Sequence, residues 1–208
     1  MPAGLIAAVI DRLVRQYPRL TFTVIQAATN DLQYHDLRER KVDLIFGRLR
    51  IPLTDEDLSA EVLFQDPCFP VASIDSKWGK RRRIEPAELV DEPWCLPDDS
   101  LLLPAIVEAF RSKGLAVPRR MISTNSIQLN YEMAATGRVL TMATGLRLRL
   151  IGKLMGLKAL PLDFLILTYP TGIVTLKNRS ISPPAQLFIE CSRQVVKRIE
   201  LLAMRAHA

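Results

Sequence analysis

The stretch that decides the fold is residues 37–48, Leu-Arg-Glu-Arg-Lys-Val-Asp-Leu-Ile-Phe-Gly-Arg. Its first half is charged and closes a helix that Thr29, Asn30 and Asp31 can cap. Its second half holds a short apolar strand, residues 42–46, that stops at Gly47. A similar pair lies upstream. Leu5, Ile6, Val9, Ile10, Leu13, Val14 and Tyr17 recur at helical spacing between Pro2 and Pro18, and residues 20–25 form a β-rich run. The chain therefore opens helix–strand–helix–strand. That alternation predicts a parallel α/β sheet, because parallel strands need a crossover that a helix supplies.

Downstream the alternation continues. Strands are expected at 69–74, 94–96, 121–123, 139–143, 158–160 and 173–176. A helix capped by Asp98, Asp99 and Ser100 should run to Gly114, and one capped by Thr124, Asn125 and Ser126 should stop at Gly137. Residues 86–89 read as a helical turn and 147–155 as a basic amphipathic helix. A final helix starts at Ser182-Pro183, with Phe188, Cys191, Val195, Ile199 and Leu202 on its inner face. Residues 71–77 and 163–170 are the expected crossovers between lobes.

With 208 residues, 49% of them hydrophobic, the chain can bury a sizeable core as one domain or two small lobes. No stretch approaches the roughly 20 apolar residues of a membrane span. The N-terminus is no signal peptide, since Asp11, Arg12 and Arg15 interrupt its apolar residues. Cys68, Cys95 and Cys191 are far apart and odd in number, which fits reduced, buried thiols in a cytoplasmic protein. Net charge is +6, part of it in the run Lys80-Arg81-Arg82-Arg83, which reads as a solvated loop.

Catalytic material is scarce. The two histidines are His35, inside a helix, and His207, in the tail, so zinc and Ser-His-Asp chemistry lack residues. No GxSxG, HExxH, GxGxxG or P-loop pattern occurs. No cofactor or metal site is implied, and binding is favoured over catalysis. Polar residues recur where a strand meets a helix: Thr29-Asn30 in the first lobe and Thr124-Asn125-Ser126 in the second. Such turns either cap their helix and do nothing more, or offer amide N–H groups and a helix dipole to an anion. Ligands of open α/β sheets sit at the carboxyl ends of strands, where these turns lie. Arg48 follows a strand and Gly47; it is either an exposed loop arginine or a bidentate partner for a ligand carboxylate.

The order of these motifs resembles the effector-binding domain of LysR-type transcriptional regulators. The resemblance runs through Asn30-Asp31-Leu32, residues 37–48, Asp66-Pro67, Asp91-Glu92-Pro93-Trp94, Thr124-Asn125-Ser126, Ala135-Thr136-Gly137, residues 172–183 and Phe188-Ile189-Glu190-Cys191. Each motif is weak alone; their order and spacing are specific. The resemblance implies a two-lobed, periplasmic-binding-protein-like (type 2) α/β fold. Each lobe would be a mostly parallel sheet flanked by helices, and two crossover strands would join them. Lobe one would span 1–71 plus 167–208, lobe two 72–166, with an effector cleft between them. It implies ligand contacts from Thr29, Asn30, Gly47, Arg48, Thr124, Asn125, Ser126 and Thr141. It also implies a homodimer, a tetramer in full-length context, through Leu5, Ile6, Val9, Ile10, Leu13 and Val24.

The expected partner is a small anionic effector, an organic acid or sugar-like molecule. DNA would be reached only through an N-terminal helix-turn-helix domain, and no membrane is involved. A transport solute-binding protein and an enzyme on the same scaffold are the alternatives. Two departures stand out. Thr144 sits where many members carry proline, and Met1-Pro2 leads directly into the first helix where members have a central strand. The first-lobe site is therefore expected to be incomplete.

Overall fold

A computed structural model describes residues 3–26, 34–49, 51–96, 102–118, 120–162, 164 and 166–205. They divide into two compact units. One is built from the residues up to 26, from 34–65 and from Tyr169 onward; the other spans Asp66–Thr168. Two long strands, β2 (Leu58–Ser73) and β7 (Leu167–Leu176), contribute residues to both.

In the first unit, helix α1 (Ala3–Gln16) lies against the C-terminal helix α6 (Pro183–Arg205). The α1 stripe reads from sequence as expected: Val9 and Leu13 are buried with Phe188 and Cys191. Phe46 meets Phe188 edge-on, with ring centroids 6.4 Å apart. Strand β1 (Ile45–Arg48) pairs antiparallel with β7, Ile45 opposite Val174 and Arg48 opposite Thr171. The ladder thus carries Gly47 and Arg48 rather than stopping before them. On β7's other side lies β2, and there Gly172 is obligatory: a Cβ on it would overlap the carbonyl oxygen of Glu61. The Glu61 carboxylate accepts two hydrogen bonds from Arg193, at 2.6 and 2.7 Å, which fastens α6 over β2.

Two expectations for this unit fail. Residues 20–25 are extended but belong to no strand, because no described residue forms a ladder with them; Phe22 packs on Phe188 while Val24 and Ile25 stay exposed. The second helix is not continuous to Arg40: Tyr34 at φ 54° is left-handed and interrupts a right-handed helix, and among its described residues only α2 (His35–Arg38) is helical. The start of the expected helix lies outside the described residues.

The second unit follows the alternating plan. Strand β3 (Trp94–Leu96), helix α3 (Leu102–Arg111), strand β4 (Arg120–Ser123), helix α4 (Ile127–Ala135) and strand β5 (Thr141–Thr144) succeed one another. β3 and β4 pair in parallel, and Trp94 bridges Leu140 in parallel just before β5. The antiparallel pairings are those of the long strand: the second half of β2 pairs with β5 and with β6 (Leu157–Ala159). Trp94, Phe110 and Phe164 stack edge-on, Phe110 lying 6.5 and 5.2 Å from its neighbours. Gly137, at φ 76°, ends the α4 segment as its position after a helix required. Between β5 and β6 the expected amphipathic helix is only partly α-helical. A short α5 (Gly145–Arg147) passes into a π-helical turn, Leu148–Gly152.

Gly172→Ala should lower stability by about 1–3 kcal/mol in urea denaturation, through forced separation of β2 and β7. An unchanged midpoint would mean the two strands are not held in close approach there.

Candidate functional site

The second unit builds its site from strand direction. β3, β4 and the entry to β5 run the same way, with Leu96 opposite Ser123 and Trp94 opposite Leu140. Their carboxyl ends therefore share one edge. The turn Thr124-Asn125-Ser126 leaves β4 at that edge and starts α4. The Thr124 amide donates to the Leu96 carbonyl at 3.3 Å. The Thr124 hydroxyl accepts from the Ser126 amide at 3.1 Å, and the Ser126 hydroxyl accepts from the Leu129 amide at 3.2 Å. Capping is thus real, and Ser126 is the N-cap. It leaves donors over: the Ile127 and Gln128 amides meet no acceptor among the described residues. Those groups and the positive end of the helix dipole face the edge where the strands end. Asn125 and Ser126 are exposed there and Thr124 is half-buried.

Behind the turn lies a buried polar layer. Asn130, 3% exposed, accepts from the Cys95 thiol at 2.9 Å and donates to the Thr124 carbonyl at 3.3 Å. One side chain thereby ties α4 to β3 and fixes the turn. Burial pushes the Cys95 thiol above its usual pKa, so it stays protonated and able to donate at neutral pH. Thr141 lies level with Cys95 on the neighbouring parallel strand, so both side chains face α4. It is 0% exposed, and its hydroxyl has no hydrogen-bond partner among the described residues. A buried polar atom without a partner costs about 1–3 kcal/mol and calls for an explanation. Sequence reasoning named Thr141 but missed Asn130 and Cys95. The available signal was an asparagine on the inward row of a helix, Ile127, Asn130 and Tyr131 to Ala134.

For the first lobe the sequence pointed to four residues. Thr29 and Asn30 lie outside the described residues. Gly47 and Arg48 are both half-buried. Arg48 is no loop arginine: it sits in the ladder opposite Thr171, with its guanidinium 4.8 Å from the centre of the Tyr169 ring. The Leu49 amide donates to the Pro170 carbonyl at 2.8 Å and extends that ladder. Among the six residues expected at a dimer surface, Leu5, Val9 and Leu13 belong to the protomer's own core, 0–2% exposed. Ile6 and Ile10 are half-buried and Val24 is 57% exposed.

Among the described residues no three His, Cys, Asp or Glu side chains gather as metal ligands, and no helix is long and apolar enough to cross a membrane. The three cysteines are buried, and no disulfide joins them.

Thr141→Val keeps the shape and removes the partnerless hydroxyl, so it should raise stability by up to about 1 kcal/mol in chemical denaturation. Asn130→Ala should lower it by about 1–3 kcal/mol, since it strands the Cys95 thiol and the Thr124 carbonyl. A Thr141→Val protein less stable than the parent would show that the hydroxyl is already satisfied.

Comparison with known proteins places this geometry. The chain is 27% identical over 192 residues to the HTH-type transcriptional regulator GbpR of Azospirillum brasilense; the match covers 91% of this chain and 56% of that protein, so the chain spans little more than half of its relative. The fold is that of the regulatory domain of Synechocystis PCC6803 CcmR, solved in complex with 2-PG, with a TM-score of 0.76 and 18% identity over 94% of this chain and 92% of the other. The effector-binding domain of QuiR, solved with shikimate, is similar at a TM-score of 0.73 and 17% identity, over 93% and 90% of the two chains. The family model of the LysR substrate binding domain matches residues 1–197, and the chain, a ligand-binding domain rather than an enzyme, belongs to that family.

Proposed function

We propose that this chain is the effector-sensing part of a LysR-type transcriptional regulator and that it binds a small anionic metabolite. The observation that carries the reading is Thr141. A hydroxyl fully buried without a partner among the described residues, on the strand that flanks β3 opposite β4, is a liability to the free protein. It becomes useful if a bound molecule supplies the missing partner. The Ile127 and Gln128 amides beyond the Ser126 cap add donors for an oxyanion, and Thr124, Asn125 and Ser126 shape its surroundings. In the first lobe, Gly47 and Arg48 would contribute contacts, together with Thr29 and Asn30. The lobes would be 1–71 plus 167–208 and 72–166, close to the two units of the fold, and the effector would lie in the cleft between them. The 2-PG and shikimate held by the two similar domains carry acidic groups of the kind this chemistry suits.

Binding would be read out through assembly. Ile6 and Ile10, half-buried beside the core that α1 shares with α6, and the exposed Val24 nearby in sequence would meet a second copy; full-length regulators would pair such dimers into tetramers. Effector binding would change the geometry of that dimer, and promoter DNA would be contacted by a separate helix-turn-helix domain in the cytoplasm.

The test is a thermal-shift screen of organic acids, phosphorylated acids and sugar acids, followed by calorimetry. One class should stabilise the chain, by about 2.7 kcal/mol at a concentration a hundredfold above its Kd. Ser126→Ala and Arg48→Ala should each weaken that binding by about tenfold or more, as expected for charge-assisted contacts. If a stabilising ligand binds all three proteins equally, the proposed residues do not form the site.

A further inference from the structure

The segment between β5 and β6 presents a surface that the ligand site does not use. In a regular α-helix Leu146, Leu150 and Leu154 would share one row, each one turn above the last. That row starts buried and turns outward: Leu146 is 8% exposed, Leu150 49% and Leu154 86%. The cause is the π-helical turn at Leu148–Gly152, which changes the phase of the helix. The inward positions pass to Leu148, Ile151 and Met155, which pack against the core of Val71, Tyr131, Ala134, Ala143 and Leu157. A π turn is rare, is found most often at functional positions, and here costs the protein two solvated leucines. Ile74, 47% exposed, lies against Gly156 at the end of the same segment and extends the apolar area.

Charge decides what fits. Between Glu132 and Asp163 the chain has five cations, Arg138, Arg147, Arg149, Lys153 and Lys158, and no acid. Arg149 and Lys153 are exposed and form no ion pair with any described residue. Each precedes an exposed leucine, Leu150 or Leu154, by one residue, so cations and leucines lie together on the exposed side of the segment. A second copy of this face would set like charges together. Two leucines on a segment held by the buried Leu146 and Gly152 are too few to enter a bilayer.

We propose that residues 146–156 dock an acidic amphipathic helix of a partner protein, its apolar row against Leu150 and Leu154 and its carboxylates against Arg149 and Lys153. The test is fluorescence anisotropy with the whole chain and a labelled synthetic helix carrying adjacent rows of leucine and glutamate. Its counterpart with lysine in place of glutamate is the control. The acidic helix should bind with a Kd on the order of micromolar, and more weakly as salt rises. Leu150→Ser with Leu154→Ser, and separately Arg149→Glu with Lys153→Glu, should each weaken it about tenfold or more without moving the melting temperature. Equal binding of both helices, or of the variants and the parent, would overturn the proposal. So would anionic phosphatidylglycerol vesicles, or a second copy of the chain, binding through Leu150 and Leu154 in preference to the helix.

Discussion

Two parallel strands cannot be joined by a hairpin; the chain must cross over, and here it crosses as a helix each time. In the second unit this constraint organises everything that bears on function. Because β3, β4 and the entry to β5 run one way, their carboxyl ends share an edge, and the helix that follows β4 must begin there. The N-terminus of α4, with its surplus amides, is therefore delivered to the edge where β3 and β4 end, while Thr141 is buried on the far side of β3 from β4. No residue has to be placed individually. Asn130 then locks the arrangement by bonding both the neighbouring strand and the turn itself.

The long antiparallel strands answer a different need. β2 and β7 extend through both units, and each unit fastens them by its own contacts. In the first unit these are the close approach at Gly172 and the Arg193–Glu61 pair. In the second, Asp66, 5% exposed on β2, accepts a hydrogen bond from the Leu146 amide at 3.2 Å and so caps α5. The amide and the dipole help to compensate the lost hydration of a buried carboxylate at a helix start.

What could be read in the sequence was what rests on local pattern. The Trp94–Leu96 strand, the Ser126 cap, Gly137 and the α1 stripe follow from side-chain periodicity and capping chemistry within a few residues. What could not be read depended on partners distant in sequence. Residues 20–25 have β-forming side chains, yet strand formation needs a ladder, and the described chain offers them none. The early half of β2 carries charged and polar residues such as Glu61 and Gln65, and it is a strand because β7 lies beside it. The π turn keeps the hydrophobic spacing of an α-helix while changing which leucines face inward. In the site, Thr124–Ser126 and Thr141 were legible as polar residues at strand ends. Asn130 was not, since its value comes from Cys95, 35 residues away.

The most direct test of the account is amide-resolved NMR of the chain titrated with shikimate, 2-PG and inorganic phosphate. A binding anion should shift the amides of Ile127 and Gln128 most strongly, with Thr141 moving in the same titration. Saturable binding that leaves the first turn of α4 and Thr141 unmoved would contradict it.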